Sequence, residues 1–159
     1  MEHAFKKKGK ESVSLKGIFR FLMEGGYYPT YEKTHISFDL EDNMASLEYE
    51  EGVLAVRLFF SIDEDTYSIF LEASNSAMIG TVGVKPIIME DHKTLMFSAE
   101  TMCDNMREFK KFFPRSIKNI KDTLFLHRHE MKALLEKSMF YKDLYTHEDE
   151  YEPAKKFCS

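Results

Sequence analysis

Between Thr34 and Ile62 the chain alternates apolar and polar residues with few interruptions. Ile36, Phe38 and Leu40 form one set, Ala45, Leu47 and Tyr49 a second, and Leu54, Val56, Leu58, Phe60 and Ile62 a third. A period of two with one apolar side predicts three strands of a sheet that is covered on one face. The joins "EDN" and "EEG" are hairpin-sized, so the three form an antiparallel meander. Ahead of them the period is helical. Leu15, Ile18, Phe19 and Leu22 follow a capping serine, Ser12 or Ser14, and Gly25-Gly26 ends the helix. "YYPTYEK" then reads as a connector, because Pro29 opposes helix.

After the meander, "DEDTYSIFLEASNSAMIG" predicts a helix with acids at its favourable N-terminal end and Ile69, Phe70, Ala73 and Ala77 along one side. Two strands follow, "TVGVKPIIME" and "TLMFSAE", joined by "DHK". Pro86 cannot donate to a ladder, which puts its strand at an edge or at a bulge. From Met102 the period lengthens again, through Met106, Phe109, Phe113, Ile117, Ile120, Leu124, Met131 and Leu134, with His127 in a place where an apolar residue is expected. This predicts one helix kinked at Pro114, or two with Pro114 opening the second. Beyond Lys137 the acidic, aromatic sequence reads as a short docked segment and then a loose end.

The expected fold is α+β: a five-stranded, mostly antiparallel sheet with helices on one face, in the order α-β-β-β-α-β-β-α. Residues 1–137 form a single domain, with 1–11 frayed, and 138–159 a C-terminal extension, partly ordered or flexible.

Composition narrows the class without naming a reaction. The length of 159 residues suits one domain with a proper core. Fourteen Phe and no Trp make that core phenylalanine-based. Two cysteines, Cys103 and Cys158, are too few for a disulfide framework. No run has the length of a membrane span, and no apolar segment follows the lysine-rich start as in a signal peptide. A cytoplasmic protein without membrane contact is expected. The net charge of −5 argues against a dedicated nucleic-acid binder.

Four places suggest chemistry. "SNSAMIGTVGVKP" (74–86) has the residue types of a phosphate loop. Such a loop, however, needs G-x-x-x-x-G-K-[ST] between a strand and a following helix. Here Lys85 comes one residue late, Pro86 replaces the hydroxyl, and the order is helix then strand. Gly80 is better read as the end of the helix. "HRHE" (127–130) contains metal-ligand types, but His127 and His129 point to different helix faces. Cys103 lies near a helix start that would favour a thiolate, with His92 or His127 as conceivable bases; a buried or incidental thiol is the simpler reading. Finally, 34–72 holds ten acids and one base, Arg57, whereas 107–132 holds eight bases and three acids. A basic helix can bind nucleic acid, but no aromatic platform interleaves these residues. Acidic turns and basic helix steering each other is the alternative. No catalytic residue, metal site or cofactor site is assigned.

The opposite faces of the strands are less easily explained. Ala55, Phe59, Ile87, Met89 and Met96 project there, among His35, Ser37, Glu48 and Arg57. An uncovered sheet face with that much apolar surface usually touches something. Arg57, Phe59, Ile87, Met89 and Met96 are the candidate partner-binding residues.

The motifs "LKGIFRFLMEGGYYP", the meander, "EASNSAMIGTVGVK", "TLMFSAE" and "MREFKKFFPRSIKNI", over residues 12–137, resemble the YbjN-like family of candidate bacterial sensory transduction regulators. The fold of that family is similar to that of type III secretion chaperones. The resemblance implies a non-enzymatic protein-binding or regulatory module, chaperone- or adaptor-like, that needs no cofactor. It would bind another polypeptide through an open sheet face or a helix groove, as a homodimer. The alternatives are a small enzyme of unrecognised activity and a nucleic-acid-binding adaptor using the basic C-terminal helix.

Overall fold

The computed structural model describes residues 11–148, with side chains through Lys142. The expected fraying of residues 1–10 and the end of the C-terminal extension lie outside the described residues. Glu11, which had been grouped with the frayed start, is held: its carbonyl accepts the Met106 N–H at 3.0 Å.

Helix α1 (Leu15–Glu24) begins where the Ser14 hydroxyl accepts the Gly17 N–H, and it buries Ile18 and Leu22. The meander follows as β2 (Ile36–Leu40), β3 (Asn43–Glu50) and β4 (Val53–Ser61), preceded by a two-residue strand β1 (Thr30–Tyr31). Each hairpin turns on two residues with positive φ, Glu41 (51°) with Asp42 (60°), and Glu51 (49°) with Gly52 (80°). Turns of that hand match the twist of the strands they join. A single 3-10 turn (Glu64–Thr66) leads into α2 (Tyr67–Gly80), which ends at Gly80 as the sequence suggested. Strands β5 (Lys85–Ile88) and β6 (Thr94–Met102) precede α3 (Met106–Glu148).

The sheet is antiparallel throughout, in the order β1-β2-β3-β4-β6-β5. It has six strands rather than five. The extra one, β1, pairs Thr30 with Ser37 and Tyr31 with Ile36 inside the stretch read as a connector. Two residues cannot show an alternation, and Pro29 had argued against regular structure. Pro86 stands in β5, at an edge as expected.

Helix α3 is continuous for 43 residues, with Pro114 in its interior, so Pro114 does not open a second helix. The proline ring is exposed and its one missing N–H is tolerated in a helix held by many packing contacts. The start is well capped: the Asn105 side chain accepts the Glu108 N–H at 3.0 Å, and the Glu108 carboxylate accepts the Asp104 N–H at 2.9 Å. The helix also passes Lys137 without a break.

One face of the sheet meets the helices. Met106, Phe109, Phe113, Ile117 and Ile120 of α3 are buried in one cluster with Ile36, Phe38, Leu58 and Phe97, and Phe60 packs at its margin. Phe113 sits at its centre, with the rings of Phe21, Tyr27, Phe38 and Phe109 all within 5.9 Å between centroids. A salt bridge of 2.8 Å from Lys121 to Glu41 ties the basic helix to the acidic β2–β3 turn. The lysine holds the Glu41 carboxyl below its ordinary range by hydrogen bonding and charge. The acidic and basic stretches thus meet, at this point, inside the fold.

Candidate functional site

Alternation along β4 places Ala55, Arg57 and Phe59 on the face away from the helices, between the core residues Leu54, Val56, Leu58 and Phe60. Register then assembles the surface. Phe59 pairs with Met96, and Met96 with Ile87, so three apolar side chains lie in one row across β4, β6 and β5. Met89 continues the β5–β6 ladder by one step, its N–H donating to the Thr94 carbonyl at 2.8 Å. Ile87 and Met89 are each more than a third exposed. The candidate residues Phe59, Ile87, Met89 and Met96 are therefore neighbours on one side of the sheet.

Arg57 lies in the next row, between Ser46 and Ser98. Its guanidinium donates to Glu48 at 2.5 Å and lies 3.7 Å from Glu100. Glu100 also accepts the Ser98 hydroxyl at 3.1 Å. The Nε–H of Arg57 is buried and has no acceptor among the described residues. The cluster is one cation between two half-exposed carboxylates, beside an apolar row.

Two members of this surface escaped the sequence reading. Met44, 62% exposed, borders a shallow hollow of about 240 Å³ shared with Phe59, His35 and Ser37. The strand was expected to begin at Ala45, which left Met44 out of the alternation. Glu100 as a second partner of Arg57 could be found only from the β4–β6 register.

The other candidates are dispersed. Residues 74–86 run from α2 through a loop into β5 and form no strand-to-helix cradle. His127 is 4% exposed, its ring bonded to the Ser74 hydroxyl at 3.3 Å and set edge-on to Phe97, whereas His129 is exposed. Burial lowers the His127 pKa from the usual 6.5 to about 4, a hydrogen bond to the Phe70 carbonyl partly opposing it. A neutral, buried imidazole of this kind is a core residue. Among the described residues no three His, Cys, Asp or Glu side chains converge as metal ligands. Cys103 is fully buried against the Asn105 carbonyl, and burial pushes its thiol pKa up, opposite to what a nucleophile needs. Met106, the first residue of α3 after it, already lies about 30 Å along the helix from His127 by helical rise.

A second concavity was not foreseen. Where α3 leaves the sheet, a groove of about 450 Å³ opens between the helix and the ends of β4 and β6. Phe60, Phe70 and Leu95 form its floor, Leu124, Met131 and Leu135 its helical wall, and Arg128 and Lys132 its edge. Its walls come from four separate elements, so only the tertiary arrangement brings them together.

No protein-family model matches the chain, and no curated protein matches it significantly. Among solved structures it is similar to YbjN, a candidate transcription regulator from E. coli, with a TM-score of 0.62 and 12% identity over 74% of this chain and 94% of that one. It is also similar to an uncharacterized protein from Methanothermobacter thermautotrophicus, with a TM-score of 0.52 and 12% identity over 79% of this chain and 99% of the other. No helix among the described residues is long and apolar enough to cross a membrane. The chain has the YbjN-like α+β fold that its motifs suggested.

Proposed function

We propose that this protein is a non-enzymatic binding or regulatory module that captures another polypeptide on the open face of its sheet. The observation behind this reading is the row Phe59–Met96–Ile87 beside the Glu48–Arg57–Glu100 cluster, on a face that no helix of the described chain covers. An aromatic and methionines next to an arginine have the composition of interface anchors. The apolar row would take aliphatic or aromatic side chains of the partner, and the two carboxylates would favour basic residues next to them. The similarity in fold to a candidate regulator agrees with a role without chemistry of its own.

A photo-reactive benzophenone side chain introduced at Ile87 tests this in extracts of the cell of origin. The expected result is one discrete adduct with a different polypeptide, identified by mass spectrometry and lost when Phe59→Ser is added. The same probe at Lys111, on the helical side, should give no such adduct. An Ile87 probe that captures nothing, or an adduct indifferent to Phe59→Ser, would overturn the reading.

A further inference from the structure

The charges of the open sheet face do not balance. Register sets Glu48 and Glu100 on either side of Ala55, one row along β4 from Arg57. The Arg57 guanidinium reaches both carboxylates and so lies over Ala55, which is only 5% exposed although it projects to the uncovered face. Ser46 and Ser98, which flank Arg57, are buried on the same face. One cation thus serves two anions. Arg57 engages Oε2 of Glu48 and Oε1 of Glu100, and the Ser98 hydroxyl donates to that same Glu100 oxygen. Oε1 of Glu48 and Oε2 of Glu100 have no hydrogen-bond partner among the described residues. The face as a whole carries Asp39, Glu48, Glu50 and Glu100 against Arg57 and Lys85.

The unbalanced anions and the apolar row lie at a set separation. Glu48 and Glu100 flank Ala55, and the paired Phe59 and Met96 stand four residues further along β4 and β6. At ~3.3 Å per strand residue the two features are about 13 Å apart. An occupant that touches both must run along the strands. A polypeptide that meets a sheet face through side chains alone has to pair its own backbone groups. A helix does so internally, whereas an extended segment does not. On a helix, positions about seven or eight apart share a face at a separation of about 10.5–12 Å. The length of a lysine or arginine side chain covers the remainder.

We infer that the partner of the open face is an amphipathic helix that sets apolar side chains on Phe59, Met96 and Ile87 and a lysine or arginine against Glu48 and Glu100. This rests on the binding role proposed above and names the chemistry of what is bound. The test uses two stapled helical peptides of about 18 residues, or ~27 Å. Both carry leucines at i, i+3 and i+4; one has arginines at i+7 and i+8, and its twin has glutamates there. Titrated into the isotope-labelled full chain, the arginine peptide should shift the amide resonances of β3, β4 and β6. It should bind about tenfold more tightly than the twin, and salt raised from ~50 to ~500 mM should narrow that gap. Glu48→Gln with Glu100→Gln, both at exposed carboxylates, should erase the preference, and Phe59→Ser should weaken both peptides. Equal binding of the twins, a preference that survives the double glutamine variant, or no binding at all would overturn the inference. So would shifts confined to the α3 groove, or equally tight binding by an arginine peptide interrupted with prolines. The adduct formed by the Ile87 probe would stand in each of these cases, so failure here is distinct from failure of the binding role. A dimer of the chain dissociated by Phe59→Ser would give the face to a second copy and overturn both.

Discussion

Leu58 and Phe59 are consecutive on β4 and have opposite fates. Leu58 is fully buried beneath the helices, whereas Phe59 is half-buried on the face that no helix of the described residues covers. The same strand thus holds a surface selected for packing next to one with apolar content that packing does not explain. The core face is closed by aromatic rings that meet edge to face around Phe113, with carbon filling the space on every side. The open face is a thin apolar row interrupted by an arginine and its carboxylates. A face built only for water would have no use for the row, and a face built only for the core would have no use for the ions.

Mutation should separate the two faces most clearly at their aromatic residues. Phe113→Ala removes a ring from the centre of the core and should cost about 3–5 kcal/mol in urea melts. Phe59→Ser, on the other face, should stay within about 1 kcal/mol of wild type. Equal losses at the two positions would break the contrast and show that the open face is itself core.

On the helical side, acid should act chiefly through His127. His127 has its pKa lowered to about 4 in the folded chain, against 6.5 when unfolded. Above pH 6.5 both states hold it neutral and its burial costs nothing. As pH falls from 6.5 towards 4 the unfolded chain takes up a proton that the folded chain refuses, so stability is lost across that window. Full expression of the difference amounts to about 3 kcal/mol. Urea melts at pH 7 and pH 4.5 should show most of this loss, and His127→Gln should remove the larger part of it. A slope unchanged in His127→Gln would assign the acid sensitivity to carboxylates instead.

The smallest effect should come from the ions of the open face. Arg57 is paired with carboxylates that are themselves more than 40% exposed, and pairs of that kind contribute about 0–1 kcal/mol. Arg57→Met should therefore shift the unfolding midpoint little while altering what binds beside Phe59. A loss of several kcal/mol would mean that the pair braces the sheet.

The core was legible because its side chains obey two simple periods. Ile36 to Ile62 declare the meander, and Met106 to Leu134 declare the covering helix. The open-face residues were legible for the same reason, as the complement of the strand pattern. What the pattern lacks is register. It could list Phe59, Met96 and Ile87, but their lying in one row depends on pairings that a single strand does not encode. Met44 was lost to an error of two residues at a strand start, and β1 was too short to have a period. The groove joins Phe60, Phe70, Leu95 and Leu124 from four elements, and no local signal connects them. The continuation of α3 past Lys137 was obscured by its own composition, since acidic and aromatic residues resemble a tail until the backbone shows them in helix as far as Glu148.

The two borders of the sheet have a consequence for how the molecule meets others. One border is β1, only two residues long, and the other is the four-residue β5 with a proline that lacks an amide hydrogen. An incoming strand needs a row of free amides and carbonyls to extend a sheet, and short or proline-bearing margins deny it that row. Lateral growth of sheet onto sheet, the route to fibrils and to strand-donating partners, is thereby discouraged at both ends. A partner of the kind proposed would meet side chains rather than backbone, and side chains can be exchanged one at a time without disturbing the ladder beneath them.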